Sequence, residues 1–339
     1  MESRYSLRLA VKLHAAAAIA KLSPESTIEI DSISVRVKQR DLTLVLQASP
    51  FTSELEAERF LPKLKGGLWN MALEHDIAFT PFFERRFITR APDPRAAAKN
   101  LAEGFGMQSQ DDLAPVHGLT EEEGYTIFKT DENIKFLAFG GASRMSTTDW
   151  NEVSRSLDDG MRQAPQQTED CEEENLSTAI NLYLSNFYET SIRARFLTLM
   201  MVLEVLAPAT QKHPVAIQLL RDLQAEIDSK LATEVDQDVR NALESLRKET
   251  EFRRETSIRR RVRRLVLDEV PLNEMEREAL AKKVVAAYDL RGSVVHTGSV
   301  DFGALVEANN NALVAVKLLL RKRLGLAAGP RQLLLPGRS

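Results

Sequence analysis

The sequence predicts an α+β protein: an N-terminal mixed α/β domain with a small antiparallel sheet, then a C-terminal all-α bundle. Three observations predict it. Period-two alternation of apolar and polar residues is confined to the first 150 residues. Three-to-four spacing dominates from about residue 175 onward. Between them Asp158–Glu174 is polar and acidic, with Gly and Pro, as in a linker or exposed loop. The 339 residues also exceed the usual size of a single core. The expected division is therefore 1–150, an acidic linker at 151–174, a helical domain at 175–324 and a flexible tail at 325–339.

The elements follow in order. Leu7-Arg-Leu-Ala-Val-Lys-Leu13 alternates and reads as a strand. Ile28–Val37 alternates too, and Leu42–Leu46 follows a charged turn at Lys38–Asp41, which suggests an antiparallel hairpin with one buried face. Ser53 and Glu56 fit a capping box opening a helix to about His75. Leu61, Leu64, Leu68 and Ala72 form its apolar stripe, and Pro62 is expected to kink its first turns. Short strand-like runs recur at Glu84–Thr89, Tyr125–Lys129 and Ile134–Phe139. Helices are expected at about 175–206, 214–231, 235–267, 272–290 and 302–324, with Ile192, Phe196, Leu199, Leu203 and Leu206 on one buried face of the first.

Composition sets the frame. A hydrophobic content of 43% beside 28% charged residues fits an ordinary globular protein. The net charge of −4 argues against wholesale coating of nucleic acid, so RNA contact would need a local patch. The single cysteine, Cys171, excludes an intramolecular disulfide and points to a reducing cytoplasm. Residues 13–20 are too short for a membrane span, and Glu2 and Lys21 around them argue against a secretion signal. No His, Cys and carboxylate cluster has metal-site spacing, and no glycine-rich phosphate loop is present, so no metal and no cofactor are expected.

The richest segment for chemistry is Tyr288-Asp-Leu-Arg291-Gly-Ser293-Val-Val-His296-Thr-Gly298. Arginine gives a permanent forked cation suited to phosphate, and histidine a proton that moves near neutral pH. The residues alone leave a second reading open, in which both side chains cap the last carbonyls of a helix that Gly298 terminates. A second pair, Arg8 and His14, falls on the predicted strand and is set aside.

With the run Ala179–Tyr188 and the apolar stripe Arg195–Leu206 that carries Glu204, this segment resembles the HEPN superfamily, specifically its Apea-like group. The similarity covers about residues 175–324, the C-terminal half only. It implies a metal-independent endoribonuclease that uses Arg291 and His296 at a composite site between two copies joined through the C-terminal helices. His296 would act as general base or acid and Arg291 would stabilise phosphoryl charge. Ser293, Tyr288 and Glu204 would support them. The implied setting is bacterial toxin or anti-phage defence, with RNA as substrate and a trigger or regulator on the N-terminal domain. One departure stands out: many members carry a polar residue directly after the arginine, where this chain has Gly292. A catalytically inactive HEPN dimerisation module, or an RNA- or nucleotide-binding sensor acting through a partner, is the alternative.

Glu204 on an apolar stripe needs a cation, either Arg291 or, in a structural salt bridge, Arg195 or another cation. The run Arg253–Arg264 holds seven arginines in twelve positions without a lysine. Its members Arg259, Arg260, Arg261, Arg263 and Arg264 either track a phosphate chain or pair with acids such as the linker, Asp268 and Glu269. His75, His117 and His213 read as surface or packing residues, and Asp301-Phe-Gly303 copies a kinase triplet without the rest of that set.

Overall fold

The computed structural model describes residues 4–14, 25–104, 114–137, 149–164, 174–189, 191–296 and 300–327, apart from the side chains of Phe252 and His296. Among these, one compact unit holds residues 4–164 with 320–327 and a second holds 174–319. The architecture is α+β. No described helix is long and apolar enough to cross a membrane.

The first unit rests on a five-stranded antiparallel sheet of β1 (Tyr5–Lys12), β2 (Glu25–Ile30), β3 (Ile33–Arg40), β4 (Thr43–Phe51) and β7 (Gly124–Lys129), in the order β2-β3-β4-β1-β7. The run expected as one strand, Ile28–Val37, is itself a hairpin. Ile30 pairs with Ile33 around Asp31 and Ser32, both at positive φ, 47° and 67°. That is the conformation a two-residue turn between twisted strands demands. The apolar phase slips from even to odd positions there, so Ile28 and Ile30 stay on the same buried face as Val35 and Val37. The other expected turn, at Asp41, joins β3 to β4.

The apolar face is covered by α1 (Glu54–His75), which packs on β1 and β4. Its N-cap is the expected one: Ser53 Oγ accepts from Glu56 N at 3.1 Å, while Glu56 returns to Thr52 N and Oγ1 at 2.7 and 2.6 Å. Leu61, Leu64, Leu68 and Ala72 are buried, and the helix runs through Pro62.

Half of the expected linker is a helix. Residues Trp150–Gln163 form α3, capped by Asp149, whose carboxylate accepts from Asn151 N at 2.9 Å. Trp150, Val153, Leu157 and Met161 keep helical spacing and are buried against α1. The acidic surface residues of α3 hid this stripe in a reading by composition. Residues 165–173, including Cys171, lie outside the described residues. The α1–α3 contact is close because Gly66 and Gly67 face Gly160. A Cβ on Gly160 would lie 2.5 Å from Gly66 O and 2.8 Å from Gly67 Cα.

Four smaller elements complete this unit among the described residues. α2 spans Pro94–Gly104, and a three-stranded sheet joins β5 (Thr89–Arg90), β6 (Gly118–Glu121) and β8 (Ile134–Leu137). Of the expected strand Glu84–Thr89 only a bridge at Arg85 and the start of β5 form. Arg8 of the dismissed Arg8–His14 pair is buried in β1, donating to Glu122 O at 2.8 Å and lying 3.8 Å over the Phe136 ring. Burial pushes its guanidinium down to about 10.

The second unit is helical among its described residues. The first expected helix is two, α4 (Glu174–Ser185) and α5 (Ile192–Leu206), folded on each other. α6 (Pro214–Thr233) pairs with α7 (Gln237–Phe252), and the long helix expected at 235–267 breaks before α8 (Ile258–Glu269). The break has a cause: residues 210–212 and 254–256 form a two-stranded neck, with Lys212 N to Arg254 O at 3.0 Å and Thr256 N to Thr210 O at 2.8 Å. α8 packs on α9 (Glu274–His296), and both touch α5. α10 spans Phe302–Arg323. The tail expected from residue 325 begins anchored, with Ala327 N donating to Gln163 Oε1 at 2.6 Å; residues 328–339 lie outside the described residues.

Candidate functional site

The site is built where α5, α8 and α9 meet. α9 begins with a reciprocal cap in which Asn273 Oδ1 accepts from Glu276 N at 2.9 Å and Glu276 reaches back to Asn273 N. It does not stop near residue 290 but runs to His296, so Arg291 and Gly292 lie inside the helix. Gly298 lies outside the described residues. The reading of Arg291 as a helix cap therefore fails: its guanidinium turns to another helix.

That partner is Glu204 of α5. Arg291 Nη2 lies 3.4 Å from Glu204 Oε1, with side-chain exposures of 34% and 20%. The contact is a charge contact without hydrogen-bond alignment, since Glu204 Oε1 has no hydrogen-bond partner among the described residues. Arg195, the other cation considered for Glu204, donates to Glu189 O at 2.8 Å instead. Glu204 sits on the edge of the stripe formed by buried Leu199, Leu203 and Leu206, which fixes its direction.

Tyr288 lies one helical turn before Arg291, and its ring centre is 5.9 Å from the guanidinium carbon. Its phenol is pushed above the usual range, first by burial and then by the Glu204 carboxylate; Arg291 and Arg261 oppose the shift. Tyr288 thus stays neutral beside the carboxylate that meets Arg291. Ser293 is exposed on α9. His296 is the last residue of that helix, and its side chain lies outside the described residues.

Arg261 joins this cluster, although the sequence grouped it with a phosphate-binding run. It is the most buried arginine of that run, bonded to Ala207 O at 2.7 Å and to Glu255 Oε2 at 3.3 Å. It thereby ties α8 to the end of α5. The signal was present in the spacing, since Arg261 adjoins buried Val262 and lies four residues before buried Leu265. Three of the other four are paired with acids. Arg259 grips Asp289 at 2.7 and 3.0 Å, Arg263 holds Glu278 at 2.9 Å, and Arg264 meets Asp268 at 3.2 Å. Two of those acids belong to α9. Arg260 is exposed, with no ion pair among the described residues.

The lesser candidates have structural roles. His75 bonds Glu152 O at 3.3 Å, His117 Nδ1 accepts from Asn133 N at 3.0 Å, and His213 caps α6. Asp301 caps α10 by accepting from Ala304 N at 2.8 Å. Among the described residues no three His, Cys, Asp or Glu side chains converge on a metal position.

No family model matches the chain, and no curated protein and no solved structure matches it.

Proposed function

We propose that the second unit is a metal-independent endoribonuclease of HEPN type, acting in bacterial defence or as a toxin, with Arg291 and His296 at its reacting centre. The observation that carries this reading is the half-exposed Arg291, held by Glu204 from another helix on the helix that ends in His296. A guanidinium offers five N–H donors in a fixed fork, and one carboxylate oxygen at 3.4 Å engages one edge of it. The remaining donors suit a phosphate.

In this mechanism a ribose 2′-hydroxyl attacks the adjacent phosphorus and the 5′-oxygen of the next nucleotide leaves. The products are a 2′,3′-cyclic phosphate and a 5′-hydroxyl. His296 takes the hydroxyl proton or supplies one to the leaving oxygen. Arg291 stabilises the charge that develops on the phosphoryl oxygens. Glu204 and Tyr288 keep the guanidinium in place before substrate arrives. A second copy related by a two-fold axis supplies the complementary acid or base. DNA lacks the nucleophile and is inert.

A specific observation favours a second reading. Gly292, in the position where related proteins carry a polar side chain, faces open space, with nothing within 4 Å of where its Cβ would be. If that missing side chain is essential, the unit binds RNA or pairs with a copy without cleaving.

The test uses single-stranded and structured RNA incubated with the full chain in a chelator. Wild type is expected to leave cyclic phosphate ends, and Arg291→Ala and His296→Ala to lower the rate by roughly 10²–10⁴-fold. Glu204→Gln is expected to retain cleavage with weaker activity. Equal cleavage by wild type and His296→Ala would overturn the site. Salt-sensitive RNA binding without turnover would establish the second reading.

A further inference from the structure

The two faces of the five-stranded sheet differ in kind. Leu7, Leu9, Val35, Val37, Leu44 and Leu46, all fully buried, make the face that α1 covers. Alternation puts their neighbours on the opposite face, and the register sets these in rows across β3, β4 and β1. One row is Arg36, Gln47 and Arg8; the next is Lys38, Val45 and Ala10; the last is Arg40, Thr43 and Lys12. Toward β7 this face is closed, with Arg8 under the Phe136 ring and against Glu122. Toward β3 it is open: Thr43, Val45 and Gln47 are half-buried, while Arg36, Arg40 and Lys12 are exposed.

The charges of the open part are unbalanced. Glu25 of β2 has two cations to meet, Arg36 and, at 3.3 Å, Lys38. Lys12 and Arg40 have no ion pair among the described residues. Arg8, lowered first by burial, is lowered further by Arg40, as expected of two guanidinium groups on one face. Lys12, Arg36, Lys38 and Arg40 thus stand against two carboxylates, Glu25 and Glu29, on a chain whose net charge is −4. The arginine run of α8 offers no such excess, since Arg259, Arg261, Arg263 and Arg264 each meet an acid.

We propose that this open sheet face binds single-stranded RNA, laid along β3 with its phosphates on Arg36, Lys38, Arg40 and Lys12. The choice of RNA rests on the ribonuclease reading, whereas the excess of cations does not. Three arguments select this occupant. Alternate side chains on a strand recur about every 6.6 Å, so β3 presents a row of cations to a backbone that carries one charge per nucleotide. Three strands span about 10 Å, room for one nucleic-acid strand rather than a duplex. Thr43 and Gln47 lie between the cations and offer a hydroxyl and an amide to ribose hydroxyls. An acidic peptide would instead add to a sheet edge, where main-chain donors are free; on a face they are spent in the ladder.

The test uses the full chain with His296→Ala, which keeps the RNA intact, and a fluorescein-labelled single strand of about 12 nucleotides. Binding is read by anisotropy between about 50 and 200 mM salt. Lys12→Gln with Arg40→Gln is expected to lower affinity roughly tenfold or more, whatever the RNA sequence. The salt slope should fall by about 1.4, from two phosphate contacts at about 0.7 each. Tryptophan fluorescence and melting should be unchanged, because both side chains are exposed. Glu25→Gln is expected to act in the opposite sense and tighten binding severalfold, which a damaged fold would not do. Arg221→Gln with Lys248→Gln, exposed cations of the second unit, should leave binding unchanged. No binding at about 50 mM salt, unchanged affinity in the first pair, an equal loss in the last, or tighter binding of the duplex of the same sequence would overturn the proposal. Cleavage by chains that keep His296 separates the two claims. RNA bound on the sheet but never cleaved sinks the nuclease and keeps the sheet face; cleavage with a KM indifferent to Lys12→Gln and Arg40→Gln does the reverse.

Discussion

Replacing glycine by alanine inside a helix usually stabilises it by about 0.5–1 kcal/mol, because alanine loses less backbone freedom. At Gly160 the structure reverses that sign. A Cβ there would lie 2.5 Å from both Gly66 O and Asn70 Cβ, and 2.8 Å from Gly67 Cα. Two of those atoms are α1 backbone and cannot turn aside as a long side chain could. Ordinary contact is about 3.5–4.0 Å, so α1 and α3 must part by about 1 Å, which forfeits a quarter to a half of the dispersion energy across the seam. Overpacking of this kind costs about 1–3 kcal/mol. Parting the helices also stretches the buried bond from Asn70 Nδ2 to Ser156 O, 2.6 Å long. Set against the helical gain, the net expectation for Gly160→Ala is a loss of about 1 kcal/mol. Both tryptophans, Trp69 and Trp150, lie in this unit, so their fluorescence reports its unfolding. With a urea slope of about 2 kcal/mol/M the midpoint should fall by about 0.5 M. Gly292→Ala is the control, because its Cβ would meet nothing within 4 Å. Followed by far-ultraviolet circular dichroism, it should raise the midpoint. A midpoint for Gly160→Ala unchanged or raised would refute the close α1–α3 packing.

Two further outcomes are expected from the first unit. Arg8→Ala leaves the carboxylate of Glu122 buried beside Phe136 without its cation and should cost about 3–5 kcal/mol; Arg8→Met with Glu122→Gln should recover most of that loss, as read by tryptophan fluorescence in urea. Tyr125, bonded to Glu58 at 2.9 Å, has its phenol pushed up to about 12, chiefly by burial and then by Glu58. Its folded value lies above its unfolded one, so its contribution to stability is complete below the unfolded value of about 10 and is lost as pH rises toward 12. Urea midpoints should therefore fall between about pH 9 and pH 11 by more in wild type than in Tyr125→Phe; parallel curves would show that the phenol titrates normally.

What the sequence disclosed and what it concealed follow from the range of the interactions. The capping box of α1 and its stripe Leu61–Ala72 are local patterns, and they stand where the spacing puts them. The turn at Asp31–Ser32 was equally local, but its mark is a single slip of phase between Ile30 and Ile33, easily read as continued alternation. α3 was concealed by acidic surface residues, because composition averages over the face that is buried. The break between α7 and α8 depends on a partner far away in sequence, the pairing of 254–256 with 210–212, which no helical period records. At the site, the need of Glu204 for a cation was legible from its place on an apolar stripe. Arg261 was not read as part of the cluster, because seven arginines in one run look alike until Ala207 and Tyr288 single one out.

The electrostatics of Glu204 decide whether this cluster suits a phosphate. A carboxylate that fully neutralised Arg291 would leave no field for an anion, since a pair of unit charges at 3.4 Å is a dipole seen from outside. One feature weakens that neutralisation. The contact is not aligned as a hydrogen bond, so the guanidinium keeps its directional donors uncommitted to Oε1. Tyr288 remains protonated beside the same carboxylate and so adds no second anion. Arg261 acts on Tyr288 as a second cation, but its own charge is met by Glu255 at 3.3 Å. Arg291 and Arg261 against Glu204 and Glu255 sum to zero, so any pull on a phosphate rests on the orientation of the Arg291 donors rather than on net charge. That arrangement orients the guanidinium without a hydrogen bond to its carboxylate, the property that the proposed phosphate contact would use.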